Sequence, residues 1–227
     1  MANPDRPQGL VPAYHINGGS WNNALAQPCI PTSATETAHS DYFIGMPVTL
    51  ANVAVEAATE GLNHYAPVKP MIDEDDEAGT SLEVCYGVVV GFANAENQGD
   101  IAKGYGMFDP TNLEKKYLAL ADIEVSGNDW LVYVAPAKDW VFKIQTASAL
   151  TGLTVGEHCK IGPADTSDTT NGNTTTGKSN LEVEAIEAGG FVCVGFPEDP
   201  NNDLDLANAD VYVASINPFP YMVATAI

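Results

Sequence analysis

Basic residues are scarce in this chain of 227 residues. Nine Lys and Arg residues stand against thirty Asp and Glu residues, which gives a formal net charge of −21 at pH 7. Nucleic-acid phosphates and anionic membrane surfaces both attract clusters of Lys and Arg. The composition therefore argues against nucleic acid and membranes as partners, and it predicts a well-solvated surface.

Long apolar runs and targeting signals are also missing from the sequence. No window approaches the roughly 18 consecutive apolar residues of a membrane span. The first residues lack the basic start and the apolar stretch of a signal peptide. We therefore expect a soluble protein that folds in the compartment where it is made.

The four cysteines, Cys29, Cys85, Cys159 and Cys193, are scattered and form no Cys-x-x-Cys motif. This spacing argues against a structural zinc site and against a dithiol redox centre. The sequence instead predicts buried, reduced thiols. His158 precedes Cys159, but neighbours on a strand point to opposite faces, so this pair is not expected to act as base and nucleophile.

Motifs of catalysis and metal binding are absent as well. The sequence contains no Gly-x-Ser-x-Gly elbow, no His-Glu-x-x-His motif and no P-loop. Residues 199–210 match several ligand positions of a calcium loop, but Leu204 replaces the glycine of its sharp turn. Residues 73–84 fail the same test, because Ala78 and Val84 occupy two required positions. We expect no catalytic residue, no cofactor and no metal.

Prolines mark the start of the chain. The first thirty-one residues contain Pro4, Pro7, Pro12, Pro28 and Pro31. Proline fixes φ, lacks an N–H and disfavours helix at the preceding residue, so residues 1–40 are predicted to form an extended arm. Residues 1–21 are expected to have too few internal contacts to hold a fixed shape. The apolar side chains expected to contact the body or a neighbouring molecule are Leu10, Val11, Tyr14, Ile16 and Trp21.

Residues 41–227 are predicted to form a β-rich body. Short runs of β-branched and aromatic residues alternate with Gly, Asn, Asp and Pro, which is typical of a sandwich or barrel. The predicted fold is all-β, with a single β-barrel or β-sandwich-like body behind the proline-rich arm. The predicted strands are 42–50, 82–92, 130–135, 140–145, 181–185, 191–196 and 211–216.

Alternation assigns faces within two of these runs. In the run 140–145, Trp140 begins the buried face. In the run 181–185, Leu181 is expected inside and Glu182 on the opposite face.

Three polar segments are predicted to be exposed loops, namely 56–81, 93–112 and 162–180. The last is of low complexity, so we expect a mobile tip or a segment that is ordered by a neighbour. Helix and strand signals compete between residues 111 and 123. We favour a short helix at 111–116 that leads into a strand at 117–123.

Tryptophan raises an alternative function. Trp130 and Trp140 head apolar runs and are expected in the core. Trp21 is flanked by glycines and polar residues and is expected to reach outward, as the platform of a carbohydrate-binding or receptor-recognition module would. A hydrolase with two carboxylates is a more distant alternative, because so acidic a chain always offers such pairs.

The order of several short motifs carries a family resemblance. The opening NPDRPQGLVPAYHINGGSW is followed by YFIGMPV, YGVVVGF, DWVFKIQT, TGKSNLEVEA and GFVCVGFPEDPNND. This arrangement spans most of the chain and resembles head decoration (cement) proteins of tailed bacteriophages. The acidic stretch 73–77 and the apolar tail 218–227 depart from the pattern and leave a spike-like relative open.

The resemblance implies a non-enzymatic virion protein that is made in the host cytoplasm. It implies homotrimers that bind the phage major capsid protein on the outer capsid surface and reinforce the shell against internal DNA pressure. The interface residues implied by the opening pattern are Asn3, Pro4, Arg6, Pro7, Gly9 and Pro12. The apolar side chains of the arm add Leu10, Tyr14 and Trp21 to the predicted capsid interface.

Overall fold

The computed structural model describes residues 3–22, 25–32, 41–51, 66–71, 84–94, 116–119, 121, 123, 130–163, 172–186 and 189–216. Within these ranges the secondary-structure elements are thirteen β-strands, which confirms the predicted all-β fold. In chain order they are β1 Val11–His15, β2 Gln27–Pro31, β3 Pro47–Leu50, β4 Ala66–Pro70, β5 Gly87–Asn94, β6 Trp130–Pro136, β7 Trp140–Gln145, β8 His158–Pro163, β9 Gly172–Asn173, β10 Lys178–Ser179, β11 Leu181–Ala185, β12 Phe191–Gly195 and β13 Asp210–Ser215.

Five strands close into a barrel in the order β2-β4-β3-β5-β6. β2 runs parallel to β4, whereas the other neighbours in the barrel are antiparallel. β5 and β6 consist largely of apolar residues, among them five valines, and such runs favour strands that are covered on both faces. The barrel core includes Tyr42, Phe43, Met46, Val68, Val89, Leu118, Val132 and Val134.

A second, antiparallel sheet contains six strands in the order β1-β7-β13-β12-β8-β11. Its far edge strand, β11, curls back toward β7. Thr146, directly after β7, forms a bridge with Val183, and Ala147 N donates to Val183 O at 3.0 Å. The sheet thus approaches closure around a core that includes Phe142, Ile144, Leu181, Phe191, Cys193, Val211 and Val213.

The barrel and the second sheet share a hydrophobic cluster. Val88 and Ala135 of the barrel pack in the same cluster as Trp140 of β7. Residues 137–139 alone separate β6 from β7, so the chain passes from one sheet to the other in a tight turn. Shared packing explains why every residue of β6 after Trp130 is buried.

The strands predicted at 140–145 and 181–185 have the bounds of β7 and β11. Trp140 is buried, as predicted, but Gln145 and Glu182 are buried on the opposite faces as well. Alternation identifies the face on which a side chain lies. It does not reveal that a further layer of chain covers the outer face.

The predicted loop 56–81 contains β4, so this part of the loop prediction is wrong. The sequence prediction missed this strand because two of its five residues are prolines. Proline lacks an N–H donor and is depleted in strands. The carbonyl group of a proline can still accept a hydrogen bond. Pro67 O accepts from Ala51 N at 3.0 Å.

The predicted loop 162–180 contains the end of β8 and the hairpin β9-β10, so that prediction is also wrong in part. The hairpin is tied to the barrel, because Ser179 N donates to Ile44 O at 2.7 Å.

Of the predicted strand 117–123, Leu118 forms an isolated bridge with Tyr42. Residues 95–115, which include most of another predicted loop and of the predicted helix, lie outside the described residues.

The predicted arm of residues 1–40 contributes strands to both sheets. β1 pairs with β7 in the second sheet, and β2 pairs with β4 and β6 in the barrel. The part of the described arm that precedes the first strand is residues 3–10. The name "arm" refers to these eight residues from here on.

Candidate functional site: the docked N-terminal arm

Asn3 anchors the beginning of the arm. Its side chain is 6% exposed and is held by three hydrogen bonds. Asn3 Nδ2 donates to Asp203 O at 2.8 Å and to Ala207 O at 3.0 Å, and Asp203 N donates to Asn3 Oδ1 at 3.0 Å. An amide side chain whose donors and acceptor are all used is fixed in orientation. The acidic turn before β13 therefore binds Asn3.

Gln145, the last residue of β7, clamps the next part of the arm. Its Nε2 donates to Pro4 O at 2.9 Å and to Asn208 O at 3.0 Å. Arg6 N donates to Gln145 Oε1 at 2.9 Å. Gln145 is 7% exposed, so these groups would be left unpaired if the side chain were removed. The clamp joins the arm to the second sheet on both sides of Asp5.

Two glycines lock the end of the arm. Gly9 has φ +64° and Gly45 has φ +91°, a region that favours glycine. Leu10 N donates to Gly45 O at 2.8 Å. A Cβ atom on Gly9 would lie 2.5 Å from Gly45 O, and one on Gly45 would overlap Gln8 O. The backbones of the arm and the barrel therefore approach each other so closely here that both positions require glycine.

Leu10 completes this lock, because its side chain is fully buried in the core of the second sheet. Gln8 adds a polar contact, since Lys178 Nζ donates to Gln8 Oε1 at 2.7 Å. The arm thus ends with a buried leucine side chain, and the hydrogen bond from Leu10 N to Gly45 O holds its backbone in place.

The middle of the arm faces solvent. Pro4, Asp5 and Arg6 are exposed between the anchor at Asn3 and the lock at Gly9. Arg6 is the single arginine of a chain with net charge −21. None of the ion pairs among the described residues includes Arg6. The hydrogen bond from Arg6 N to Gln145 Oε1 fixes the backbone that carries this side chain. The guanidinium group suits bidentate contact with a carboxylate.

Aromatic packing continues the docking after the arm. The Tyr14 ring meets the Tyr212 ring edge to face, with centroids 5.3 Å apart. The Trp21 ring meets the Trp140 ring in the same way at 4.8 Å, and His15 approaches Trp140 at 5.1 Å. The expectation that Trp21 reaches outward is wrong. The carbohydrate-binding alternative relied on an outward-facing Trp21, and it loses that support.

The structure divides the nine predicted interface residues into three groups. Asn3, Gly9 and Leu10 are buried against the chain itself, and Pro4 and Arg6 are exposed. The half-buried residues are Pro7, Pro12, Tyr14 and Trp21. For residues 3–21 the prediction of too few internal contacts is wrong, because polar side chains of the body hold the arm and a hydrophobic pattern does not reveal such contacts.

The cysteines offer no activated nucleophile. All four are buried free thiols, as predicted, and burial raises the pKa of Cys29, Cys85 and Cys159 to about 12. A thiolate is the reactive form, so burial disfavours reaction of these groups at neutral pH. His158 is exposed and Cys159 is buried, which places them on opposite faces of β8 as predicted.

Carboxylates at both ends of the turn 199–210 bind other groups of the protein. Asp199 Oδ1 accepts from Asn201 N at 2.9 Å, and Asp210 Oδ2 pairs with Lys143 Nζ at 3.0 Å. In the described ranges, no group of three or more His, Cys, Asp or Glu side chains is arranged to hold a metal ion. Nor does any described helix have the length and apolar character needed to cross a bilayer.

Comparison with known proteins gives no relative: neither a family model, nor a curated protein, nor a solved structure matches this chain.

Proposed function

We propose that this chain is a non-enzymatic structural protein of a virion, and that it binds the major capsid protein on the outer surface of a phage shell. The observation that carries the proposal is the docked arm. It is fixed at Asn3 and at Gly9, and it presents Pro4, Asp5 and Arg6 to solvent. The resemblance of the opening motifs to phage decoration proteins supports the same reading.

A preformed arm favours binding because its ordering cost is already met in the unbound protein. Its exposed middle offers a cation on a protein of net charge −21, so a carboxylate of the shell is the complementary group. Loss of a buried charge pair of this kind costs about 2–5 kcal/mol. A homotrimer would present three such arms, and simultaneous engagement would multiply their effect.

The test is a decoration assay in which purified, undecorated phage shells are titrated with the protein. We expect Arg6→Ala to weaken binding at least 30-fold, on the order of 2 kcal/mol. Lys138→Ala is the matched control, because it removes the same charge from the turn between β6 and β7. We expect the control to bind within about threefold of the wild type, as for a half-buried surface charge that lies outside the arm and pairs with Asp139. Equal binding by Arg6→Ala and Lys138→Ala would refute the role of Arg6, and absence of wild-type protein from all shells would refute the function.

A further inference from the structure

Glu182 is a buried carboxyl group without an evident structural purpose. It lies on β11 between the core residues Leu181 and Val183, on the opposite face of the strand, and is only 2% exposed. Its Oε1 atom has no hydrogen-bond partner in the part of the chain that the structure describes. Burial without a hydrogen-bond partner strongly disfavours the charged form of a carboxyl group.

The arm passes close to this carboxyl group. Gln145 binds Pro4 and Arg6, the residues on either side of Asp5. The residue after Gln145 forms a bridge with Val183, the residue after Glu182. This pairing brings Asp5 close enough for its negative charge to act on Glu182. An exposed acidic residue of the arm and a buried acidic residue of the body therefore lie near each other beside the Gln145 clamp.

The neighbours of Glu182 that the structure describes do not pair with its charge. Gly162 lies opposite it on β8 and carries no side chain. Glu184, on the same face of β11, is paired with Lys160 Nζ at 3.6 Å. No ion pair found among the described residues includes Glu182. On the arm, Arg6 is exposed and contacts Gln145 through its backbone N–H.

We propose that Glu182 and Asp5 form a pH-sensitive latch, which holds the arm docked while Glu182 is protonated and releases it when Glu182 ionises. The neutral carboxyl group tolerates both burial and the charge of Asp5. Its ionised form is repelled by Asp5, and movement of the arm away from the body relieves this repulsion. The latch requires no partner, and it does not depend on what the arm binds.

The direction of the effect follows from the pKa. Burial, followed by the charge of Asp5, raises the pKa of Glu182 from 4.5 to about 7. The docked state therefore holds more protons than the undocked state between these values, and docking weakens as pH rises from about 4.5 to about 7. If undocking restored the ordinary pKa in full, the docking equilibrium would change by about 300-fold across this window.

Hydrogen exchange of the full-length protein tests the latch. The amides of Arg6 and Leu10 report docking, because they donate to Gln145 Oε1 and to Gly45 O. After correction for the intrinsic exchange rate, we expect their protection to fall at least tenfold between about pH 5.5 and pH 8.5, whereas core amides of β7 keep theirs.

Two substitutions separate Glu182 from the general effect of pH. We expect Glu182→Gln to keep both amides protected at high pH, since it cannot ionise. Glu184→Gln is the matched control on the same strand and should retain the wild-type pH dependence, because Lys160 already compensates the charge of Glu184. An identical pH dependence in Glu182→Gln and the wild type would overturn the proposal.

A direct titration keeps the proposal testable if Glu182→Gln does not fold. The side-chain carboxyl carbon of Glu182 in the wild type, followed by NMR, should titrate with a midpoint near 7. Asp5→Asn should lower this midpoint, since it removes the repelling charge. A wild-type midpoint near the ordinary value of 4.5 would refute the latch.

Discussion

Substitution of Gly9 by alanine gives a sharp test of the arm's docking. Gly9 has φ +64°, and an added Cβ atom would lie 2.5 Å from Gly45 O and 2.7 Å from the Cβ atom of Ser179. The positive φ costs an L-residue about 1–2 kcal/mol. Forcing a methyl group into packed surroundings costs about 1–3 kcal/mol more. We therefore expect Gly9→Ala to lower the free energy of unfolding by about 2–5 kcal/mol.

Gly152→Ala is the matched control. Gly152 also has a positive φ, of +102°, but no atom lies within 4 Å of the position of its Cβ atom. Its substitution should cost the backbone term alone, about 1–2 kcal/mol. The difference between the two variants measures the close approach of the arm to Gly45. Denaturant unfolding of both proteins, analysed with a common m-value, gives this difference.

The arm can also respond by undocking from the body. The loss of stability would then be limited to the free energy of docking, and the Leu10 amide, which donates to Gly45 O, would lose its protection from hydrogen exchange. Either response follows from a tight lock between arm and barrel. An equal cost for Gly9→Ala and Gly152→Ala, with the Leu10 amide still protected, would refute the lock.

Three further predictions concern the body. Gln145→Ala should destabilise the protein by about 1–3 kcal/mol and deprotect the Arg6 amide, because it leaves Pro4 O and Arg6 N without their partner; unchanged protection would contradict the clamp. The four cysteines should resist a thiol reagent at about pH 8 in the folded protein and react fully after denaturation, since burial holds the thiolate fraction very low; rapid labelling of the native protein would contradict this. A chelator should leave the melting temperature unchanged, and a drop of more than a few degrees would point to the carboxylates of the turn 199–210.

The sequence alone was sufficient for some local features of the fold. β-Branched and aromatic runs separated by turn residues predicted an all-β protein, and alternation predicted the bounds of β7 and β11 and the burial of Trp140. Proline chemistry indicated that residues 3–10 join no helix. These features depend on neighbours within a few residues, so a linear pattern contains the information that determines them.

The tertiary structure alone decided which residues of the body hold the arm and which polar side chains are buried. Gln145 meets Pro4 across 141 positions of sequence, and Asn3 meets Asp203 across 200. Glu182 has the pattern of a solvent-facing residue, yet it is buried near Asp5. No local pattern encodes such contacts, because burial of a polar side chain depends on which distant segment folds over it and supplies, or withholds, its hydrogen-bond partners.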